Sequence, residues 1–229
     1  MPVNIHLLRD EAYRLILEMI FSGEITADEP LSERKLAERL GMGRTPVREA
    51  LRALARDGVV ETQLARGTFV RKLSPEDVRE VYEVRQAIEG MAAWLAARHG
   101  PTPAMREFAG KMRQAQAEVA KYSTTEVDQL GTEFHSEIFT AAGNALLLKA
   151  FEPLRLRFQL AFGLPRHQDK RALQDSLKEH LAIFDAIENR DCSSAQRAMH
   201  EHLAHGLEVR LASLGLVDKD ARKETRQVG

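Results

Sequence analysis

Two groups of side chains in this sequence are of types that can do chemistry. The first is a row of arginines, Arg44, Arg48, Arg52 and Arg56, recurring every four residues. The second is found among the eight histidines, of which His135, His180 and His202 each have apolar neighbours (Phe134 and Ile138; Leu181 and Ile183; Met199 and Leu203) and so can point inward. Four-residue spacing places the guanidinium groups on one helix face, while Val47, Ala50, Leu51, Leu54 and Ala55 form an apolar seam on the other. A helix of that kind can pack on a domain and present cations to phosphates and base edges. Imidazoles converging from several helices can bind Zn²⁺ or another borderline divalent ion. A bare arginine row also suits a solvated helix face, and a histidine with apolar neighbours also suits a hydrogen-bonded core position. The elements that position each set therefore decide.

Around the arginines, the local residues define a compact motif. Ser32 can cap a short helix whose inner face is Leu36, Ala37 and Leu40. Gly41-Met42-Gly43 breaks that helix, and Thr45-Pro46 reads as a cap followed by proline at the first helical position of the next. Gly58 ends the second helix. Val59 to Gln63 and Thr68 to Arg71 are β-prone runs flanking Ala65-Arg66-Gly67, a hairpin with a basic tip. Upstream, Ala12, Leu15, Ile16, Met19 and Ile20 supply a third apolar seam. The pattern predicts a winged helix-turn-helix whose second helix enters a DNA major groove.

The histidines lie in a different kind of chain. From Ser74 onward the strand signal disappears, and helical periodicity runs over roughly 75–98, 104–121, 126–142, 145–162, 170–189 and 193–214. Six such helices predict an antiparallel all-α bundle, so the fold class is mainly α. The expected division is 1–73 for the winged helix, 74–215 for the bundle, and 216–229 for a charged, disordered tail.

Composition narrows the function. The chain has 229 residues, 44% hydrophobic and 29% charged, with a formal net charge of −1. Residues 34–72 nevertheless hold ten Lys/Arg against four Asp/Glu. A local basic face on an otherwise acidic chain favours oriented contact with DNA. The single cysteine, Cys192, excludes an internal disulfide, and no apolar run is long enough for a membrane span or a signal peptide, which points to the cytoplasm. No glycine-rich phosphate loop or nucleophile elbow is present, so an enzyme is not expected. Two alternatives stand beside the DNA-binding regulator: a metal-dependent hydrolase using the three histidines, and a winged helix used for protein contact.

The run from Leu31 to Val70, with RTPVREAL at its centre and ARGTFV at the wing, resembles the winged-helix domain of the GntR family of bacterial transcription regulators. VYEVRQAIEGMAAWLAA, FHSEIFTAAGN, EHLAIFDAIENRD and AQRAMHEHL resemble the FCD-type ligand-binding domain of the FadR branch. The resemblance implies a transcriptional repressor, dimeric on a palindromic operator, controlled by a small organic acid held in the bundle. It implies DNA contacts from Arg34, Arg44, Thr45, Pro46 and Arg48, with Arg66 and Gly67 placing the wing. It also implies a divalent metal (Zn, Ni or Mn) at His135, His180 and His202. The family's fourth ligand is an aspartate four residues before the first histidine, where this chain has Gly131. Neither Asp128 nor Glu133 is spaced to replace it, so the residues leave metal binding open. The same three histidines and Arg85 are the expected effector contacts, with Arg155 and Arg157 as weaker candidates.

Overall fold

Ser32 opens the helix-turn-helix by accepting a hydrogen bond from the Lys35 amide, and α2 follows over Glu33–Leu40. Gly41 closes it in the left-handed region at φ 63°, a conformation that costs glycine nothing. These features belong to a computed structural model that describes residues 5–162 and 170–213. Helix α1 covers Ile5–Phe21 and α3 covers Arg44–Arg56. The expected Thr45 cap is corrected: α3 begins at Arg44, Gly43 is its N-cap, and no side chain caps it. Pro46 then sits within the first turn, where backbone amides lack intrahelical partners in any case, so the missing N–H does no harm.

Strands β1 (Val60–Gln63) and β2 (Gly67–Val70) pair antiparallel, with Val60 opposite Val70 and Gln63 opposite Gly67. Ala65 and Gly67 take positive φ values of 59° and 108° to turn the hairpin. Ile16, Val47, Leu51, Leu54 and Val59 lie in one buried cluster joining α1, α2, α3 and the hairpin. Each fully buried aliphatic side chain of this kind contributes about 1.5–3 kcal/mol relative to leaving it exposed.

The remaining described helices are α4 (Pro75–His99), α5 (Pro103–Ala117), α6 (Thr124–Ala142), α7 (Ala145–Phe162), α8 (Lys170–Glu188) and α9 (Cys192–Ser213), with a 3₁₀ turn at Val119–Lys121. Their starts are chemically marked. Thr102 caps α5 through the Met105 amide, and Ser123 and Glu126 form a reciprocal capping box on α6. Asn144 accepts from the Leu146 and Leu147 amides, and Asp191 from that of Ser194. Helix α4 packs along α9 and α6, α8 packs on α9, and α5 packs on α8 and α6. Small residues allow the close approaches: a Cβ at Gly90 would lie 2.2 Å from the His200 ring, and one at Gly206 would lie 3.1 Å from Tyr82.

The chain divides into two compact units, Met1–Ser74 with Pro153–Gly163, and Pro75–Glu152 with Leu164–Gly229. Residues 153–163, read as bundle from their periodicity, group with the first unit, where Leu156 joins the buried cluster. The expected tail at 216–229 lies outside the described residues.

Candidate functional site

In the first unit, Arg44, Arg48, Arg52 and Arg56 are all exposed on α3, while Val47, Ala50, Leu51 and Leu54 are buried. Arg34 pairs with Glu38 at 2.8 Å, Arg44 with Glu33 at 3.6 Å, and Arg52 with Glu49 at 2.8 Å. Exposed pairs of this kind contribute about 0–1 kcal/mol and can be exchanged for phosphate contacts. Among the described residues Arg48 has no ion pair, so its charge is open. Thr45 is exposed beside it, whereas Pro46 is buried and can only shape the helix start. On the wing, the Arg66 guanidinium lies 5.3 Å from the Phe69 ring centroid, and exposed Gly67 begins β2. These exposed groups can meet phosphates and base edges without any change of core packing.

In the second unit, three helices bring the histidines together: His135 from α6, His180 from α8 and His202 from α9. His135 Nε2 stands 3.1 Å from His180 Nε2 and 3.2 Å from His202 Nε2. Their ligand atoms all lie within 4.8 Å of one another. Three nitrogens on one tetrahedral zinc are spaced about 3.3 Å apart, given Zn–N distances of about 2.0–2.1 Å. The imidazoles therefore fit a divalent ion.

Carboxylates stand behind two of them. Glu89 Oε2 on α4 lies 2.5 Å from His135 Nδ1, close but poorly angled for a hydrogen bond. Glu179 on α8 accepts a 2.8 Å bond from His202 Nδ1 and a 2.5 Å bond from His205 Nδ1. An ionised carboxylate only accepts, so the His202 proton sits on Nδ1 and its Nε2 lone pair faces the other two rings. This is the outer support that metal-binding histidines usually have.

The electrostatics agree. Burial raises the Glu89 carboxyl, but Arg85 and His135 together outweigh it and hold the group down to about 2. Burial raises Glu179 too, and its bonds from His202 and His205 bring it down to about 2. His202 falls to about 4 because burial outweighs Glu179, which keeps the ring neutral and able to ligate. His205 is raised, chiefly by its bond to Glu179.

Gly131 faces this cluster. A Cβ there would come within 2.9 Å of His180 Cε1, so the glycine leaves the space that the His180 ring edge requires. Phe134 closes one side, edge-on to His180 at 5.9 Å between centroids.

The other candidate residues are placed by the same geometry. Arg85 is 2% exposed and committed to Glu89, with Nε 2.5 Å from Oε1, rather than standing as an open anion clamp. Its guanidinium also lies 5.0 Å from the Tyr82 ring centroid. Arg157 belongs to the first unit, packed where a Gly58 Cβ would fall, and the Arg155 side chain lies outside the described residues. Glu133 is exposed and bonds Gln129, apart from the cluster. His200 reaches the Gln86 carbonyl at 3.0 Å. Glu89 and Glu179 were not foreseen as partners of the histidines. The sequence signals for them are the four-residue step from Arg85 to Glu89 and, for Glu179, the three-residue step between His202 and His205 that one carboxylate can span.

Among the described residues no helix is long and apolar enough to cross a membrane. Residues 8–70 match the bacterial regulatory proteins of the gntR family, and residues 80–205 match the FCD domain. The chain is similar to a "Probable D-xylose utilization operon transcriptional repressor" of Paenarthrobacter nicotinovorans, at 34% identity over 89% of this chain and 88% of that protein. It is also similar to the HTH-type transcriptional repressor RspR of Escherichia coli (strain K12), at 30% identity over 88% of this chain and 86% of that one. Among solved structures, E. coli McbR/YncC shares the fold with a TM-score of 0.74 at 21% identity, covering 90% of this chain and 98% of that one. The metal-free FCD domain of TM0439 has a TM-score of 0.53 at 19% identity, covering 64% of this chain and all of that one. The chain belongs to the GntR family of bacterial transcriptional regulators, with an FCD domain following its winged helix.

Proposed function

We propose that this regulator is a cytoplasmic, homodimeric repressor whose operator affinity is set by a small organic carboxylate bound at a metal centre in the FCD domain. The observation that carries the reading is the convergence of His135, His180 and His202, supported from behind by Glu89 and Glu179. A bound divalent ion supplies positive charge and open coordination positions that attract an anionic oxygen. His135, His180 and His202 would hold it. Glu179 fixes His202, and Arg85 offsets the charge of Glu89 beside His135. Without Arg85, two carboxylates would draw more strongly on any cation and weaken the attraction for an anionic effector.

Two copies of the winged helix would read the half-sites of a palindromic duplex, since two-fold protein symmetry maps onto two-fold operator symmetry. Arg44, Thr45 and Arg48 reach into the major groove, Arg34 contacts the backbone, and Arg66 with Gly67 sets the wing. Exposed Val84 and Met91 on α4, with Leu146 and Leu148 on α7, provide apolar surface for a partner copy. Effector binding shifts operator affinity only by favouring one dimer geometry, and the two affinities must change by the same factor. The test is metal analysis of protein purified without chelators, followed by titration with acetate, lactate and citrate of wild type and the His135→Ala, His180→Ala double variant. One divalent ion per chain and carboxylate binding confined to wild type are expected. Equal carboxylate binding by the double variant would place the effector elsewhere.

A further inference from the structure

We propose that Glu179 and His205 form a positioning pair for the histidine centre, and that His205 is required for full metal affinity although it contributes no atom to the centre. The proposal rests on the metal reading above and assigns a task to two residues outside the ligand set. Glu179 immediately precedes His180 on α8, so the residue that positions one ligand is covalently adjacent to another. Its two oxygens face two rings of α9: Oε2 accepts from His202 Nδ1 at 2.8 Å and Oε1 from His205 Nδ1 at 2.5 Å. Residues 202 and 205 are three apart and share a helix face, which lets one carboxylate span both.

The two supporting carboxylates differ in what holds them. Glu89 is 1% exposed and locked by the Arg85 guanidinium. Among the described residues Glu179 has no arginine or lysine partner, and its side chain retains 28% exposure. A partly exposed carboxylate on a flexible stem rotates toward water unless both oxygens are engaged. His205 is the anchor for the second oxygen. With it removed, Glu179 can leave His202, whose ring then loses the bond that fixes its tautomer and directs its Nε2 at His135. Outer partners of this kind typically alter metal affinity about 10–100-fold.

The test uses the full-length chain, stripped with a chelator and titrated with Zn²⁺ against a chromophoric competitor. Co²⁺ substitution follows the ligand geometry through its visible absorption. His205→Leu removes the donor, and Glu179→Gln replaces one acceptor by an amide donor. His205→Asn restores an N–H at the place of the ring Nδ1. Zinc affinity is expected to fall about 10–100-fold in His205→Leu and Glu179→Gln, with a changed Co²⁺ spectrum, and to recover in His205→Asn. Wild-type affinity and spectrum in His205→Leu would overturn the proposal, as would an Asn variant as weak as the Leu variant. Failure of the wild type itself to bind Zn²⁺ or Co²⁺ would overturn the metal reading, an outcome seen before any variant is made.

Discussion

The arginine face of α3 and the histidine centre of the bundle are built on opposite plans. The arginines come from one helix, stand in water, and keep only exposed ion pairs to their neighbours. The histidines come from three helices, 45 and 67 residues apart along the chain, and His135 and His180 are buried. An exposed row needs little beyond a helix packed by its other face, because its partner, DNA, arrives with its own geometry. A buried centre must carry its geometry inside the fold, so it needs supporting carboxylates and a glycine where a larger residue would intrude. The DNA face should therefore respond to substitution one residue at a time. The centre should fail as a unit.

The sharpest way to break this comparison is to remove ligands. The His135→Ala, His180→Ala double variant should lose stoichiometric metal altogether, read by elemental analysis after dialysis against zinc. Retention of one ion per chain would show that the centre is not where the imidazoles converge. Next in size is Arg48→Ala, which should weaken operator binding by about 1–3 kcal/mol at fixed salt if Arg48 makes a bidentate base contact. Metal content of that variant should match wild type. A comparable loss of zinc would show that the two regions are not separable as binding sites.

Gly131→Ala comes third. Its Cβ would press on His180 Cε1 at 2.9 Å, so zinc affinity should fall about 10-fold, within the range seen when metal-supporting residues are disturbed. Gly131→Asp should not strengthen the site, because the added Cβ meets the same ring. A tighter zinc complex in Gly131→Asp would contradict this account of the glycine. The smallest effects concern helix ends. Gly41→Ala adds a Cβ into open space but at φ 63°, so it should cost about 1–2 kcal/mol of stability in denaturant titration. Ser123→Ala, which removes the capping box of the helix carrying His135, should cost about 1 kcal/mol.

The same contrast explains what could be read from the amino acids. The helix-turn-helix, the wing and the six later helices follow from local periodicity and turn residues such as Gly41, Gly58 and Gly143. The start of α3 was displaced because Thr-Pro is a common cap, yet proline is tolerated throughout a first turn. The grouping of 153–163 with the first unit was not readable, since periodicity reveals that Leu156 has an apolar face but not which core receives it. The three histidines are recognisable as a set through the family resemblance, since no local pattern links residues 45 and 67 positions apart. Glu89 and Glu179 are not, because a carboxylate among many helical carboxylates becomes a partner only when helices distant in sequence pack together. Arg85 differs: its four-residue step to Glu89 permits an ion pair on one helix, but only the packed bundle shows both groups buried and engaged.

The central claim is that the buried centre governs the exposed face. It is tested most directly by operator affinity in fluorescence anisotropy, using a duplex selected by the wild-type chain from a random pool. The measurement compares zinc-loaded and chelator-stripped protein, each with and without acetate, lactate or citrate. The account predicts that at least one carboxylate shifts operator affinity in the zinc-loaded chain and that the shift vanishes after stripping. An identical shift in the stripped protein, or in the His135→Ala, His180→Ala variant, would contradict it.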